Sequence, residues 1–210
     1  GYYMITLFID TSSINVYIAI VSGDKVLASK EACIPSGHSK YTTSFIKNCL
    51  DEAGIDANDI NNIMVCNGPG SFTGVRIGVS IAKTYGYLIK KDITPVSSLK
   101  ELAVSCNYTS DYYLSLISAN NGNYYVGLYD SNYNDVIDEK FCDANEVIRL
   151  YNEYNPRVIS NDFNVVGVIK VNKVNLDFVK IINYYMDKEK VSAHAIVPNY
   201  LKLPQVLESK

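Results

Sequence analysis

Asn67-Gly68-Pro69-Gly70-Ser71-Phe72-Thr73-Gly74-Val75-Arg76-Ile77-Gly78 is the stretch on which the interpretation of this chain depends. It follows a short apolar run at residues 63–66, typical of a buried strand. It then leads into an apolar-periodic segment at residues 75–89, typical of a helix. The order of strand, glycine-rich turn and helix predicts an α/β fold.

The glycine-rich turn is suited to binding an anion. Its glycines and proline let the backbone turn sharply, and Ser71 or Thr73 is a natural N-cap for the following helix. Backbone N–H groups at a helix N-terminus attract negative charge. The spacing fits neither the dinucleotide fingerprint Gly-x-Gly-x-x-Gly nor the P-loop with its Gly-Lys pair. We therefore expect no more than a vestigial nucleotide- or anion-binding site.

The rest of that site comes from the end of the first predicted strand, at residues 5–10. The turn after this strand offers a carboxylate and hydroxyls to a ligand, although the same residues equally suit an ordinary hairpin turn. The predicted nucleotide- or anion-binding residues are Asp10, Thr11, Ser12, Gly68, Gly70, Ser71 and Thr73.

The helix after the turn has an unusually wide apolar arc, centred on small residues spaced four apart. Glycine inside a helix costs about 1 kcal/mol relative to alanine, so this ridge of small residues needs an explanation. It packs either tightly on the protein's own sheet or against a partner subunit. The predicted partner interface combines one face of the preceding helix with this ridge: Tyr41, Phe45, Cys49, Gly74, Arg76, Gly78, Ala82, Tyr85 and Gly86.

The composition of the chain argues against a membrane protein, a disulfide-rich protein, a metal-binding protein and a protein that binds tRNA unaided. The 210 residues are 48% hydrophobic and 20% charged, with a net charge of -3. No apolar run reaches the roughly 20 residues that span a bilayer, so we expect a cytoplasmic protein without a membrane partner. The five cysteines are scattered and odd in number, which favours reduced thiols. With two histidines and three arginines, we expect no metal site and no tRNA binding by this chain alone.

The two halves of the chain repeat one pattern of predicted elements, which indicates a duplicated α/β fold. The first half has strands at 5–10, 15–21, 25–30, 63–66 and 94–96, with helices at 41–53 and 75–89 and a capping box at 98–101. The second half has strands at 113–118, 124–129, 136–141 and near 158, with helices at 144–154 and 176–186. The second half is less regular. We therefore predict an N-terminal lobe at 1–108 and a reduced C-terminal lobe at 109–210.

The sequence offers no catalytic constellation. It has no His-Glu-x-x-His, Gly-x-Ser-x-Gly or Cys-x-x-Cys motif. Asp10 has no glycine-rich phosphate hairpin beside it, and the corresponding turn of the second half, Ser118-Ala119-Asn120, has no acid. We therefore predict no catalytic residues and interpret the chain as a scaffold related to an enzyme.

Several segments together resemble the bacterial TsaB (YeaZ) family. These are residues 8–12, His38, the glycine-rich stretch with Ala82-Lys83, and the two segments at 95–99 and 198–201. The resemblance implies an actin-like (ASKHA, ribonuclease H-like) fold of two duplicated lobes. It also implies a role in forming threonylcarbamoyladenosine beside the anticodon of tRNA.

The same resemblance implies how the work is divided among subunits. TsaB proteins bind the catalytic paralogue TsaD through first-lobe helices, here residues 42–53 and 75–89, and form homodimers when alone. A TsaE ATPase joins the assembly, and tRNA is reached only through the complex. No cofactor is expected on this chain, because ATP and metal belong to the partner subunits.

A second hypothesis treats the chain as an enzyme in its own right. It would be an actin-like phosphotransferase or a peptidase-like enzyme, with its site near Asp10 and the loop at residues 68–74. This alternative depends on a carboxylate at a strand end and on the anion-binding character of the loop.

Overall fold

The computed structural model describes residues 3–162 and 165–201. The chain forms two compact units. The first unit runs to Ser98 and includes Asp177–Pro198. The second runs from Leu99 to Leu176 and takes up the chain again at Asn199. Five helices are shared between them: α1 His38–Ala53, α2 Phe72–Ile89, α3 Ser98–Ser105, α4 Ala144–Tyr154 and α5 Phe178–Tyr185.

The first unit is built on a five-stranded mixed sheet. Its strands are β1 Ile5–Asp10, β2 Asn15–Ser22, β3 Lys25–Cys33, β4 Asn62–Gly68 and β5 Ile93–Ser97. Their order across the sheet is β3-β2-β1-β4-β5, antiparallel from β3 to β1 and parallel from β1 to β5. A short 3₁₀ helix, Ala57–Asp59, precedes β4.

Helices cover both faces of this sheet. Leu7, Ile9 and Val65 point to the face covered by α1 and α2, where the main core of the unit lies. Because side chains alternate along a strand, Phe8 points to the opposite face. There α5 covers it, with the ring of Phe178 5.6 Å from that of Phe8.

The second unit repeats the same sheet. Its strands are β6 Tyr112–Ser118, β7 Tyr124–Asp130, β8 Asp135–Cys142, β9 Arg157–Ser160, β10 Val165–Val166, β11 Ile169–Lys170 and β12 Asn172–Lys173. The order β8-β7-β6-β9-β12 corresponds strand for strand to that of the first unit. A 3₁₀ helix, Asn120–Gly122, links β6 to β7. The small β10–β11 hairpin stands where the first repeat has α2, which makes the second repeat the reduced one.

This duplication confirms the predicted α/β fold of two repeated halves, the second of them reduced. The division between the units differs from the predicted one at residue 108. Helix α3 ends the first repeat, but Leu99 and Leu102 pack in the core of the second unit with Tyr113. Helix α5 ends the second repeat and belongs to the first unit. Each of these two helices therefore belongs to the unit in which its apolar face is buried, and not to the unit that contains the rest of its repeat.

Most of the predicted elements are confirmed, with shifted ends. The strand at 5–10 and the helix at 144–154 have the predicted bounds. Helix α2 begins three residues before the predicted start, because the Ser71 side chain accepts a hydrogen bond from the N–H of Gly74 at 3.2 Å and caps the helix. Within the described ranges, none of the helices is both long and apolar enough to cross a bilayer.

Candidate functional site

The turn after β1 and the glycine-rich loop before α2 lie against each other. The N–H of Ser71 donates to the carbonyl oxygen of Ser12 at 2.8 Å. The hydroxyl of Thr11 donates to the carbonyl oxygen of Gly74 at 2.6 Å. The structure therefore brings together two segments that the sequence places about 60 residues apart, as the predicted site requires.

Three glycines, which have no side chain, allow the loop and α2 to approach the turn this closely. A Cβ atom added at Gly70 would lie 2.4 Å from the carbonyl oxygen of Ser12. One added at Gly74 would lie 2.2 Å from the carbonyl oxygen of Thr11, and one at Gly78 would lie 2.5 Å from the Thr11 hydroxyl oxygen. These distances are far inside van der Waals contact, so each glycine is required by the strand turn that packs on it.

The same contacts decide between the two explanations of the ridge of small residues. Gly74 and Gly78 face the turn of the chain's own sheet, and Ala82 is fully buried in the core of the first unit. Gly86 packs on the same unit as well, since an added Cβ would lie 3.1 Å from that of Ala193. The interpretation of the ridge as a surface for another polypeptide is therefore wrong.

Cys49, another predicted interface residue, is also interior. It is fully buried in the core between α1 and the sheet. Burial raises the pKa of its thiol to about 11. The predicted interface therefore contains five buried positions and four that are exposed or half-buried, namely Tyr41, Phe45, Arg76 and Tyr85.

Asp10 lies at the centre of the predicted anion site but is only 2% exposed. Its Oδ1 atom accepts hydrogen bonds from the N–H of Ser12 at 2.8 Å and from the Ser12 hydroxyl at 2.7 Å. This is an Asx-type turn, in which the carboxylate organises its own backbone. The carboxylate thus serves the hairpin turn, the alternative that the sequence left open.

The loop is held from its other side as well. The hydroxyl of Ser98 donates to the carbonyl oxygen of Pro69, and the peptide bond before this proline is cis. Gly68 is buried with φ 109°, while Ser71 and Thr73 are exposed at the start of α2. The loop is therefore held by hydrogen bonds to Ser12 on one side and to Ser98 on the other. Anion binding by its exposed residues stays a prediction.

The two histidines lie in different places, and each contacts a neighbouring group of the protein. Nε2 of His38 lies 2.8 Å from the carbonyl oxygen of Ser13. The His194 ring lies edge-on to Tyr87 with 4.8 Å between centroids, and its Nδ1 shares a hydrogen bond with the tyrosine hydroxyl. Sequence reasoning missed this second contact because its partners are 107 residues apart.

Several large side chains, most of them apolar, are exposed or half-buried on the outward-facing parts of α1 and α2, on both sides of the polar residues of α2. We call this set the helical surface, and it consists of Tyr41, Phe45, Phe72, Arg76, Ile77, Ile81, Tyr85 and Leu88. Leu88 is 67% exposed and Phe72 is 53% exposed. The guanidinium carbon of Arg76 lies 5.1 Å from the centre of the Phe72 ring. Half of these residues were not predicted, although the wide apolar arc of the helix was the signal that could have identified them.

Comparison with known proteins places this geometry in a family. The family model described as TsaD, tRNA N6-adenosine threonylcarbamoyltransferase, matches residues 32–202. The tRNA threonylcarbamoyladenosine biosynthesis protein TsaB of Bacillus subtilis is 35% identical over 126 residues, which are 60% of this chain and 55% of that protein. The chain belongs to the TsaD family, and it is similar to TsaB and YeaZ proteins.

Solved structures support the same fold. YeaZ from Pseudomonas aeruginosa superposes with a TM-score of 0.77 at 20% identity, over 94% of this chain and all of that one. A second Pseudomonas aeruginosa structure, described as similar to peptidase YEAZ, reaches a TM-score of 0.81 at 20% identity over 95% of this chain. The sequence matches are shorter, and the chain spans about half the length of the curated relatives it matches.

Proposed function

We propose that this chain is a noncatalytic subunit of the machinery that forms threonylcarbamoyladenosine in tRNA. It acts by binding a TsaD-like transferase through the helical surface of α1 and α2. The observation that carries this proposal is the exposure of large apolar side chains along that surface, with Phe72 and Leu88 each more than half exposed. Large apolar side chains exposed on neighbouring helices are typical of interaction sites on folded proteins.

The helical surface has the chemistry of a protein interface. It combines four aromatic rings with one arginine, and these residue types are enriched where proteins bind each other. Tyr41 and Phe45 lie one helical turn apart with 6.1 Å between ring centroids, so α1 presents two adjacent aromatic rings in this area. A pair of helices on a partner with the same fold would pack against this area by the usual helix–helix rules.

The proposal also assigns the chemistry to other subunits. In this chain the Asp10 carboxylate is engaged with Ser12, and each histidine is engaged with a neighbouring group. ATP and metal are therefore expected on the partner subunits, with a TsaE-like ATPase in the assembly and tRNA reached through the complex. In the absence of a transferase, two copies of this chain would pair through the same helical surface, so homodimer and heterodimer would compete.

The decisive experiment is co-purification with the cognate TsaD-like transferase, followed by an assay of tRNA modification. The test variant combines Phe72→Glu and Leu88→Glu, because these side chains are exposed and their replacement leaves the core intact. We expect loss of the complex and of modification with an unchanged circular dichroism spectrum. Val168→Glu is the matched control, since Val168 is 96% exposed in the second unit.

Two results would overturn the proposal. If the double variant binds the transferase as well as the Val168→Glu control does, the helical surface is not the interface. If the purified chain alone hydrolyses ATP and loses this activity on Asp10→Asn, the chain is a phosphotransferase-like enzyme and the assignment of chemistry to its partners fails.

A further inference from the structure

The chain contains two Asn-Gly dipeptides, Asn67-Gly68 and Asn121-Gly122. Asparagine followed by glycine is the pair most prone to deamidation, because glycine has no side chain to shield its backbone nitrogen. That nitrogen attacks the asparagine side-chain carbon. The two dipeptides have the same local chemistry, so any difference in their reactivity comes from the fold.

Asn121-Gly122 lies in the exposed turn between β6 and β7. The turn is closed by the N–H of Ala119 donating to the carbonyl oxygen of Asn123 at 2.8 Å, and by the N–H of Asn123 donating to that of Asn120 at 3.2 Å. Among the described residues, no hydrogen bond holds the carboxamide of Asn121. A Cβ atom added at Gly122 would meet nothing within 4 Å, so the space around the reacting nitrogen is open.

The backbone of this turn is also easy to rearrange. Asn121 has φ 60° and Gly122 has φ 71°, a left-handed conformation that both residue types adopt at low cost. Attack requires rotation of ψ at Asn121, which is 36° in the structure, until the Gly122 nitrogen faces the side chain. Both residues are exposed, and in the described part of the chain no atom lies within 4 Å of a Cβ placed at Gly122, so side-chain packing does not oppose this rotation.

Asn67-Gly68 is held in place. Both residues belong to β4, where Gly68 pairs with Ser97 of β5 and is buried. The carboxamide nitrogen of Asn67 donates to the carbonyl oxygen of Val197 at 3.1 Å. Rotation of this backbone would break strand pairing, so the fold protects the leaving group and the attacking nitrogen together.

We propose that Asn121 is a site of spontaneous deamidation in the folded protein and that Asn67 is not. The Gly122 nitrogen bonds to Cγ of Asn121, the Cγ–Nδ2 bond breaks, and ammonia leaves with the proton from the glycine N–H. Water then opens the cyclic imide at either carbonyl to give aspartate or isoaspartate. The product carries one more carboxylate, so the net charge changes from -3 to -4. The isoaspartate form lengthens the main chain of the hairpin turn by one methylene.

The test is incubation of the full chain in mildly alkaline buffer, with peptide mapping by mass spectrometry over time. In native conditions we expect the peptide containing Asn121 to gain one mass unit several-fold faster than the peptide containing Asn67. In urea the two rates should become similar. Asn121→Gln should remove the first signal without affecting the fold, because this side chain is exposed.

Gly122→Ala tests the role of glycine and should slow the reaction at Asn121 several-fold. Equal native rates at the two asparagines, or a faster rate at Asn67, would overturn the proposal. An unchanged rate in Gly122→Ala would also overturn it, since the glycine nitrogen would then not be the determinant. These readouts are independent of transferase binding.

Discussion

The hydroxyl of Thr11 donates a hydrogen bond to the carbonyl oxygen of Gly74, with 2.6 Å between the two oxygens, although the residues are 63 positions apart. Thr11 is fully buried and follows β1, while Gly74 lies in the first turn of α2. This bond fixes the N-terminus of α2 to the end of the central strand β1. It is the most direct link between the two segments of the candidate site.

Replacing Thr11 with valine tests this link. Thr11→Val keeps the shape of the side chain and removes the donor, so we expect the free energy of unfolding to fall by about 1 kcal/mol. Urea denaturation measures the change. Thr43→Val is the control, because the hydroxyl of Thr43 donates to a carbonyl on exposed α1 and should matter little. Equal losses in both variants would contradict a special role for Thr11.

Gly74→Ala tests the close approach. An alanine would gain about 1 kcal/mol of helix propensity, but its Cβ would lie 2.2 Å from the Thr11 backbone oxygen. We therefore expect net destabilisation of about 1 to 3 kcal/mol, the usual cost of overpacking. Gly86→Ala should cost less, because its nearest contact would be 3.0 Å. A stabilised Gly74→Ala variant in thermal melts would show that the turn gives way without cost.

The second unit contains a buried lysine that allows a similar test. Lys100 is 9% exposed, and its Nζ lies 2.6 Å from the Asp135 carboxylate and 4.3 Å from the centre of the Tyr129 ring. We expect Lys100→Met to lower the free energy of unfolding by about 1 to 2 kcal/mol, since the carboxylate of Asp135 is half exposed and water can solvate it.

The matched control for this prediction is Lys47→Met. Lys47 pairs with Asp51 at 2.9 Å on the exposed side of α1, with both side chains largely in solvent. Surface pairs of this kind contribute little, so the control should change the urea midpoint hardly at all. A Lys100→Met variant as stable as this control would mean that the buried pair adds nothing to the second unit.

Glu146 provides a pH-dependent prediction. The pKa of its carboxyl is lowered from an ordinary value near 4.5 to about 2, mainly by a hydrogen bond from Arg149 and to a smaller extent by one from Lys140. A carboxyl with a lowered pKa stabilises the fold above its unfolded pKa, and this contribution is lost as the pH falls through the folded value. The parent should therefore be more stable than Glu146→Gln near neutral pH.

The difference between these two proteins should shrink as the pH falls from about 4.5 toward 2. Urea midpoints across this range measure it. Only a pH dependence of the difference between the variants, and not of either curve alone, supports the assignment to Glu146.

The fold could be predicted well from the sequence because local patterns determine most of it. Alternation predicted β1 and the repeated meander predicted the duplication. The start of α2 was predicted three residues too late, because the sequence offered both Ser71 and Thr73 as caps. The strands β10 to β12 have two residues each, too few to show any periodicity. The sequence shows that α5 has an apolar face but not which sheet this face covers, so it could not indicate to which unit the helix belongs.

The candidate site was predicted less completely, for a physical reason. Small residues spaced four apart in a helix indicate that a backbone comes close, but the pattern is the same whether that backbone belongs to the same chain or to another. Only the position of the turn at Thr11 against Gly74 and Gly78 decides this. The exposed residues Phe72 and Leu88 have no spacing signal of their own beyond an apolar helix face.

The place of α5 in the first unit also has a consequence for synthesis of the protein. Phe8 and Tyr17 are covered by Phe178, which a ribosome adds only after most of the chain has emerged. Until then the face of the first sheet that carries Phe8 and Tyr17 is apolar and not covered by α5. A chain stalled before that point would present this side to chaperones, whereas the completed chain closes it with its own late helix.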